Sequence, residues 1–445
     1  MNRLKLSMLL LAATYPLSAA KPTPSLIPVG TYDTGLGANG AEIVSVREKD
    51  ELAAITNIAG SVDLLDLSNP AAITLIKRVM VNPAYGTPNS VAIHPSQDYM
   101  LVASGSSSIN GASKGRVTAY SIPGGEELTS AQVGVLPDSV AISDNGKYAV
   151  VANEAEGVES SPRNNGGEGS LTLIRLEEFN PKTPSALLVF QIPLPSAAGI
   201  VGFSTGRTDD LGRFAIDNTP LTLEPESVAF SKKSDLAYIT LEENNGVAVL
   251  DLKTLAVSYF GLGTTTHDGD ITVGGGYVPV ANAINAFREP DGIAIFKGKA
   301  NTEYFVTADE GDTRDASRNG GPRGGRTVSV FNAKTGALMG DTGSQLDQAA
   351  ADAGVYPDDR SNRGGTEPEV LDVTDYKGRT LVAVGLERAA SVALIDVTDP
   401  STPTVIDLAP VGLNPEGIKF YKTKGKLYVL AANEASGTLS ALLVD

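Results

Sequence analysis

Apolar residues along this chain fall in short runs separated by turns, and the runs follow a recurring order. A proline, usually followed by an acid, opens a run rich in Val, Ile and Ala. A polar turn comes next, then a second apolar run led by an aromatic, a knot of Asn, Glu or Gly, and a third apolar run. Pro137-Asp138-Ser139-Val140-Ala141-Ile142 is one such opening, leading to residues 148–154 and then 170–174. Openings recur at Pro225-Glu226-Ser227, Pro290-Asp291-Gly292, Pro368-Glu369-Val370 and Pro415-Glu416-Gly417. Pro88-Asn89-Ser90 keeps the proline without the acid, and Gly40-Ala41-Glu42 keeps the acid without the proline.

Those are seven units, and successive prolines lie 49, 88, 65, 78 and 47 residues apart. The shortest spacings approach one four-stranded propeller blade, and the longer ones imply loops inserted into a constant blade. The runs are rich in β-branched residues and tyrosine, and turn residues punctuate them. Helical spacing is confined to residues 344–353. A parallel β-helix needs shorter and more even repeats. The pattern therefore predicts an all-β, seven-bladed β-propeller. After Pro415 there is room for three strands, at 418–420, 427–431 and 438–444. The β-like run at 26–31 is expected to join the last blade as its outer strand, closing the ring and covering a sheet edge.

Compartment is read from the N-terminus. Arg3 and Lys5 precede an apolar stretch, Pro16 interrupts it, and Ser18-Ala19-Ala20 supplies small residues at a cleavage position. This order predicts a signal peptide over residues 1–20 and one propeller domain over 21–445. No other stretch is apolar and long enough for a membrane helix, and no sorting motif or membrane tail follows the last strand. A secreted or periplasmic protein without an anchor is expected. The chain has no cysteine, so its stability must come from a large core rather than disulfides. A formal charge of -17 argues against nucleic acid as a partner and favours cations.

Chemistry enters through two repeat positions. The first strand of a blade lines the central channel. The loop that enters it and the loop between the second and third strands lie on one face. The entry position holds Glu42, Asp138, Glu226, Asp291, Glu369 and Glu416. The loop position holds Asn57, Asn153-Glu154, Glu242-Glu243-Asn244, Asp309-Glu310, Glu387 and Glu434. Blade two is the exception at both, with Asn89 and Ser104-Gly105. An acid or amide at a turn entry can simply cap the backbone. Recurrence at both positions points instead to a ring of carboxylates. Such a ring needs counter-charge or raised pKa values, and a hard divalent cation, above all calcium, supplies the former. The densest stretch, Asp309-Glu310-Gly311-Asp312-Thr313-Arg314-Asp315, is the leading metal candidate, although its spacing is not that of an EF-hand. His267-Asp268-Gly269-Asp270 lies in an insertion expected to reach the same face. Arg314 and Arg388 follow Asp312 and Glu387 and are expected to neutralise part of the ring or to grip an anion. With no cysteine and only two histidines, nucleophilic catalysis is poorly supported, and His94 is read as structural.

Residues 304–315, Tyr-Phe-Val-Thr-Ala-Asp-Glu-Gly-Asp-Thr-Arg-Asp, resemble the tANEGDaRd signature of choice-of-anchor I proteins, among them the mesenchyme-specific cell-surface glycoproteins of biomineralising animals. Residues 238–245 are similar to the family's aYvtLQENN, and Glu367-Pro368-Glu369 with Gly385-Leu386-Glu387-Arg388 to its EPE…glER. Asp309 stands where the family has Asn and Glu242 where it has Gln, while 261–287 departs from the pattern. The resemblance implies a propeller, an extracellular setting and, for some members, a link to calcium mineral. The expected function is a secreted binding or structural propeller that holds calcium on its acidic face, with metal ions and a phosphorylated or mineral ligand as partners. The alternatives are a metal-dependent phosphoesterase, in line with the phosphatase-like labels of bacterial members, and a lactonase-like hydrolase.

Overall fold

Continuous apolar runs, rather than alternating ones, mark strands covered on both faces, and that is where the runs of this chain sit. The computed structural model describes residues 22–57, 59–105, 114–155, 167–206, 215–314 and 324–445; the expected signal peptide lies outside them. Among the described residues are seven four-stranded antiparallel sheets. They are the blades of a β-propeller, and in each the chain runs from the channel outwards.

Blade 1 consists of Val44–Arg47, Leu52–Asn57, Ser61–Asp66 and Thr74–Met80. Blade 2 is Thr87–Ile93, Tyr99–Gly105, Lys114–Ser121 and Glu127–Val135. Blade 3 is Pro137–Ile142, Tyr148–Asn153, Ser170–Arg175 and Leu188–Pro193, and blade 4 is Pro225–Phe230, Leu236–Leu241, Gly246–Asp251 and Val257–Gly261. Blade 5 is Pro290–Lys297, Glu303–Asp309, Thr327–Asn332 and Leu338–Asp341, and blade 6 is Pro368–Tyr376, Arg379–Leu386, Ser391–Asp396 and Thr404–Pro410. Blade 7 takes Pro415–Thr423, Lys426–Asn433 and Thr438–Val444 from the end of the chain, and its outer strand is Leu26–Asp33, antiparallel to Thr438–Val444.

Second and third strands are almost wholly buried, whereas outer strands such as Thr74–Met80 are largely exposed. Apolar side chains fill the gap between each pair of neighbouring blades. Val62, Leu64, Val91 and Val102 do so between blades 1 and 2, and Leu394, Ile418, Val429 and Leu442 between blades 6 and 7. Burial on this scale, at about 25 cal/mol per Å² of apolar surface, explains how a chain without disulfides holds together.

The entry to each inner strand sets up the site. At Leu136, Glu289, Glu367 and Asn414, each just before its proline, the backbone takes a positive φ between 46° and 53°. The register then slips immediately after the proline: between Pro137 and Ser139, Pro225 and Val228, Pro290 and Ile293, Pro368 and Leu371, and Pro415 and Gly417. The repeated acid sits inside that slip. A bulge re-aims the residue it contains, so each proline-led blade turns its acid by the same local device. Neighbouring inner strands also approach closely there: a Cβ on Gly292 would lie 2.5 Å from the carbonyl of Glu369, and one on Gly417 2.5 Å from that of Glu42.

Two insertions flank blades 4 to 6. Thr264–Gly269 pairs with Val280–Phe287 as a two-stranded sheet, and a helix spans Gln345–Asp352, within the stretch of helical spacing. Fully buried Arg326 ties them together: Nη1 reaches Asp347 and the carbonyl of Asp270, and Nη2 reaches the carbonyls of Ser361 and Arg363.

Candidate metal centre

The channel encloses about 920 Å³ and is lined at its inner-strand entries by Glu42, Asp138, Glu226, Asp291, Glu369 and Glu416. Glu154, Glu242 and Glu310 reach it from the loops after second strands. Both repeat positions therefore deliver carboxylates to one region. Among the described residues the acids there gather into two triads: Glu226, Glu242 and Glu243 of blade 4, and Glu310, Glu369 and Glu387 of blades 5 and 6. In each triad one carboxylate oxygen per residue lies within 4.8 Å of the others.

Glu226, Glu369 and Glu387 are only 8%, 7% and 5% exposed, so water does not solvate them freely. Nevertheless Oε2 of each, like Oε2 of Glu42, is buried without a hydrogen-bond donor. What Glu369 meets instead is Glu416, carboxyl to carboxyl. Glu310 meets Glu242 in the same way, which joins the two triads.

Such an arrangement disfavours ionisation, through burial first and like charge second. Burial, reinforced by Glu242 and Glu243, holds Glu226 well above the carboxylate range. Glu310 and Glu369 are raised in the same way, the first with Glu367 and Asp291 as neighbours and the second with Glu416, Glu310 and Glu387. Burial pushes Glu42 and Asp291 up to about 8, Glu416 to about 7 and Asp138 to about 6. An all-oxygen donor set of this kind fits a hard cation such as calcium.

Among the described residues Arg388 brings a counter-charge to the ring. Arg388 reaches Glu387 Oε1 through Nη1 at 2.6 Å and Glu367 Oε2 through Nε at 2.7 Å. Fully buried Glu367 also takes Nε of Arg360 at 2.9 Å. Asn414 adds a donor to Glu387 Oε1 at 2.7 Å. The sequence reading passed over Glu367 and Arg360 as site residues. Glu367 entered only as the first residue of the EPE motif that carries the resemblance; it stands before Pro368 with φ 52°, rare for such a side chain.

The densest acidic stretch is distributed differently. Glu310 joins a triad, but Asp309 turns into blade 5 and has no exposed surface. Its Oδ1 accepts from Thr307 at 2.6 Å, and its Oδ2 from Thr327 at 2.6 Å and from Ser329. Asp312 holds Arg314 with two bonds, at 2.7 and 2.6 Å. Glu434 sends its charge towards Glu42 and Glu416. Asp315 lies outside the described residues. The 267–270 segment serves its own hairpin. Asp270 accepts from the backbone of Thr272 and Val278, Asp268 from that of Asn282, and His267 faces the carbonyls of Asp268 and Gly325. His94 accepts from the backbone of Ser96 and Gln97 and donates Nε2–H to the carbonyl of Gly146, a neutral buttress whose pKa burial lowers.

Comparison with known proteins places this architecture. Two solved structures share the fold: a hydrazine synthase of Kuenenia stuttgartiensis, at TM-score 0.55 and 13% identity over 91% of this chain and 95% of that one; and the Cps50 (Swd1) β-propeller domain of Myceliophteria thermophila, at TM-score 0.54 and 9% identity over 94% and 100%. At such identities the likeness concerns the fold alone. No curated protein matches the chain in sequence. The model of the choice-of-anchor I domain matches residues 42–321 and 322–400, and the chain belongs to that family.

Proposed function

We propose that this protein is an exported binding or structural propeller whose acidic channel mouth holds divalent cations, calcium foremost. One observation carries the reading: Glu226, Glu369 and Glu387 bury a carboxylate oxygen that no donor reaches, inside clusters of further carboxylates. A cation removes both penalties at once, because it supplies the missing partner and cancels the repulsion. Export is supported by the charged, apolar and small-residue order of residues 1–20 and by a family that suggests an extracellular or cell-surface setting. No helix among the described residues is long and apolar enough to cross a membrane.

The test is calcium content after dialysis, together with melting in calcium and in chelator. Calcium that co-purifies or binds, and that raises the melting temperature by several degrees, is the expected result. No bound metal and no shift on adding calcium overturns the reading. A second reading, a metal-dependent phosphoesterase, draws on Arg388, whose side chain keeps 36% of its surface exposed beside a triad. It requires phosphomonoester turnover that disappears with chelation.

A further inference from the structure

We infer that the mouth holds two cations in separate sites, one in the Glu226–Glu242–Glu243 triad and one in the Glu310–Glu369–Glu387 triad, meeting at the contact between Glu242 and Glu310. This rests on the cation-binding reading and adds number and place to it.

Geometry sets the number. Calcium takes oxygen ligands at about 2.3–2.6 Å, so oxygens of one ion lie within about 5 Å of each other. The three carboxylates of each triad already satisfy that limit, at 4.8 Å or less. Among the described residues the acids gather into two such groups, one on blade 4 and one spanning blades 5 and 6. Clustered acids alone would not make a site. The second observation is that each group contains its own donor-less, nine-tenths-buried oxygen: Oε2 of Glu226 in the first, and Oε2 of Glu369 and of Glu387 in the second. An ion in one triad leaves the oxygen of the other buried and unpartnered. The repeat explains part of the duplication: blades 4 and 6 each pair an entry glutamate with the glutamate that follows the second strand, and the third ligand is Glu243 in one and Glu310 of blade 5 in the other.

The experiment counts calcium bound to the full-length chain by equilibrium dialysis and calorimetry, for wild type, Glu226→Gln, Glu369→Gln and the double variant. Exchanging Glu for Gln keeps shape and relieves repulsion; Glu243→Gln and Glu387→Gln report on the same triads should either variant fail to fold. The expected result is two calcium ions in wild type, one in each single variant and none in the double. One ion in wild type, or loss of all calcium in either single variant, overturns the two-site inference while leaving cation binding intact. A wild type that binds none overturns the cation reading itself.

Discussion

Asp309 and the channel-mouth triads are built from the same chemistry, buried carboxylates, and differ in what surrounds them. Asp309 is met by three hydroxyls, and the Arg288 guanidinium lies 3.8 Å away. Glu226, Glu369 and Glu387 each bury an oxygen that no donor reaches. Burial and negative charge are therefore equal partners in both regions, and donor supply separates them. The knot at Asp309 completes its own hydrogen bonding and belongs to the fold. In the triads Oε2 of Glu226, Glu369 and Glu387 lacks that completion, and this is what the proposed cation would supply.

The largest test of this contrast is pH. Folded-state pKa values of about 7 for Glu416 and about 8 for Glu42 and Asp291 lie above those of the unfolded chain. The stability linked to these protonated groups is fully present below about pH 4, the unfolded value, and is lost as pH rises through about 7 to 8. In chelator, melting followed by circular dichroism is expected to fall steadily from pH 5 to pH 9. Saturating calcium should flatten that fall, since it takes over the neutralising role. His94 works the other way: its lowered pKa costs stability as the medium becomes more acid than an ordinary histidine pKa. A chelated protein whose melting temperature does not change between pH 5 and pH 9 would mean that the carboxyls of the mouth are not held protonated.

Next in size is Asp309→Ala. It leaves the hydroxyls of Thr307, Thr327 and Ser329 without their acceptor and takes a carboxylate away from Arg288, which is 2% exposed and retains Asp341 at 2.7 Å. Removing one member of a buried, hydrogen-bonded charge network costs about 3 kcal/mol. Denaturant unfolding should show a loss of that order while calcium stoichiometry stays at the wild-type value. Lost calcium binding with little loss of stability would reverse the roles assigned to the two regions.

The legible part of this architecture was its repeat. Proline-led openings mark the inner strands of blades 2 to 7, and the acid after the proline falls at the bulge in blades 3 to 7. Helical spacing at 344–353 marked the helix. Donor supply was not legible, because it arises across strands. Thr327 reaches Asp309 because antiparallel register sets the two side by side, and the segment between them in sequence says nothing of it. Local acid density therefore nominated 309–315 as a unit, whereas the fold sends Asp309 inwards, Glu310 to a triad and Asp312 to Arg314. Glu387 and Glu369 were each identifiable from their repeat positions. Their convergence with Glu310, from the neighbouring blade, depends on how blades 5 and 6 pack.

Blade 2 supplies the smallest and most local test, because it breaks the acidic repeat at Asn89. Its inner strand has the same slip after the proline, between Pro88 and Ser90, so the position is aimed as in the other blades. The difference is chemical. Asn89 Nδ2 donates to the carbonyl of Pro137 at 3.0 Å, the residue that opens the inner strand of blade 3. A carboxylate cannot make that bond and would set a negative charge against a carbonyl oxygen. Asn89→Asp is isosteric, and the site is half-buried, so the expected cost is modest, on the order of 1 kcal/mol. It should appear as a small drop in melting temperature at pH 8 that shrinks towards pH 4, where the new acid is protonated and can donate. Calcium should not restore it, because the new charge lies in neither triad. If calcium did restore it, with an additional ion bound, the limit on cation sites would be the number of acids at the mouth rather than their grouping. The amide at blade 2 would then be what withholds a further site.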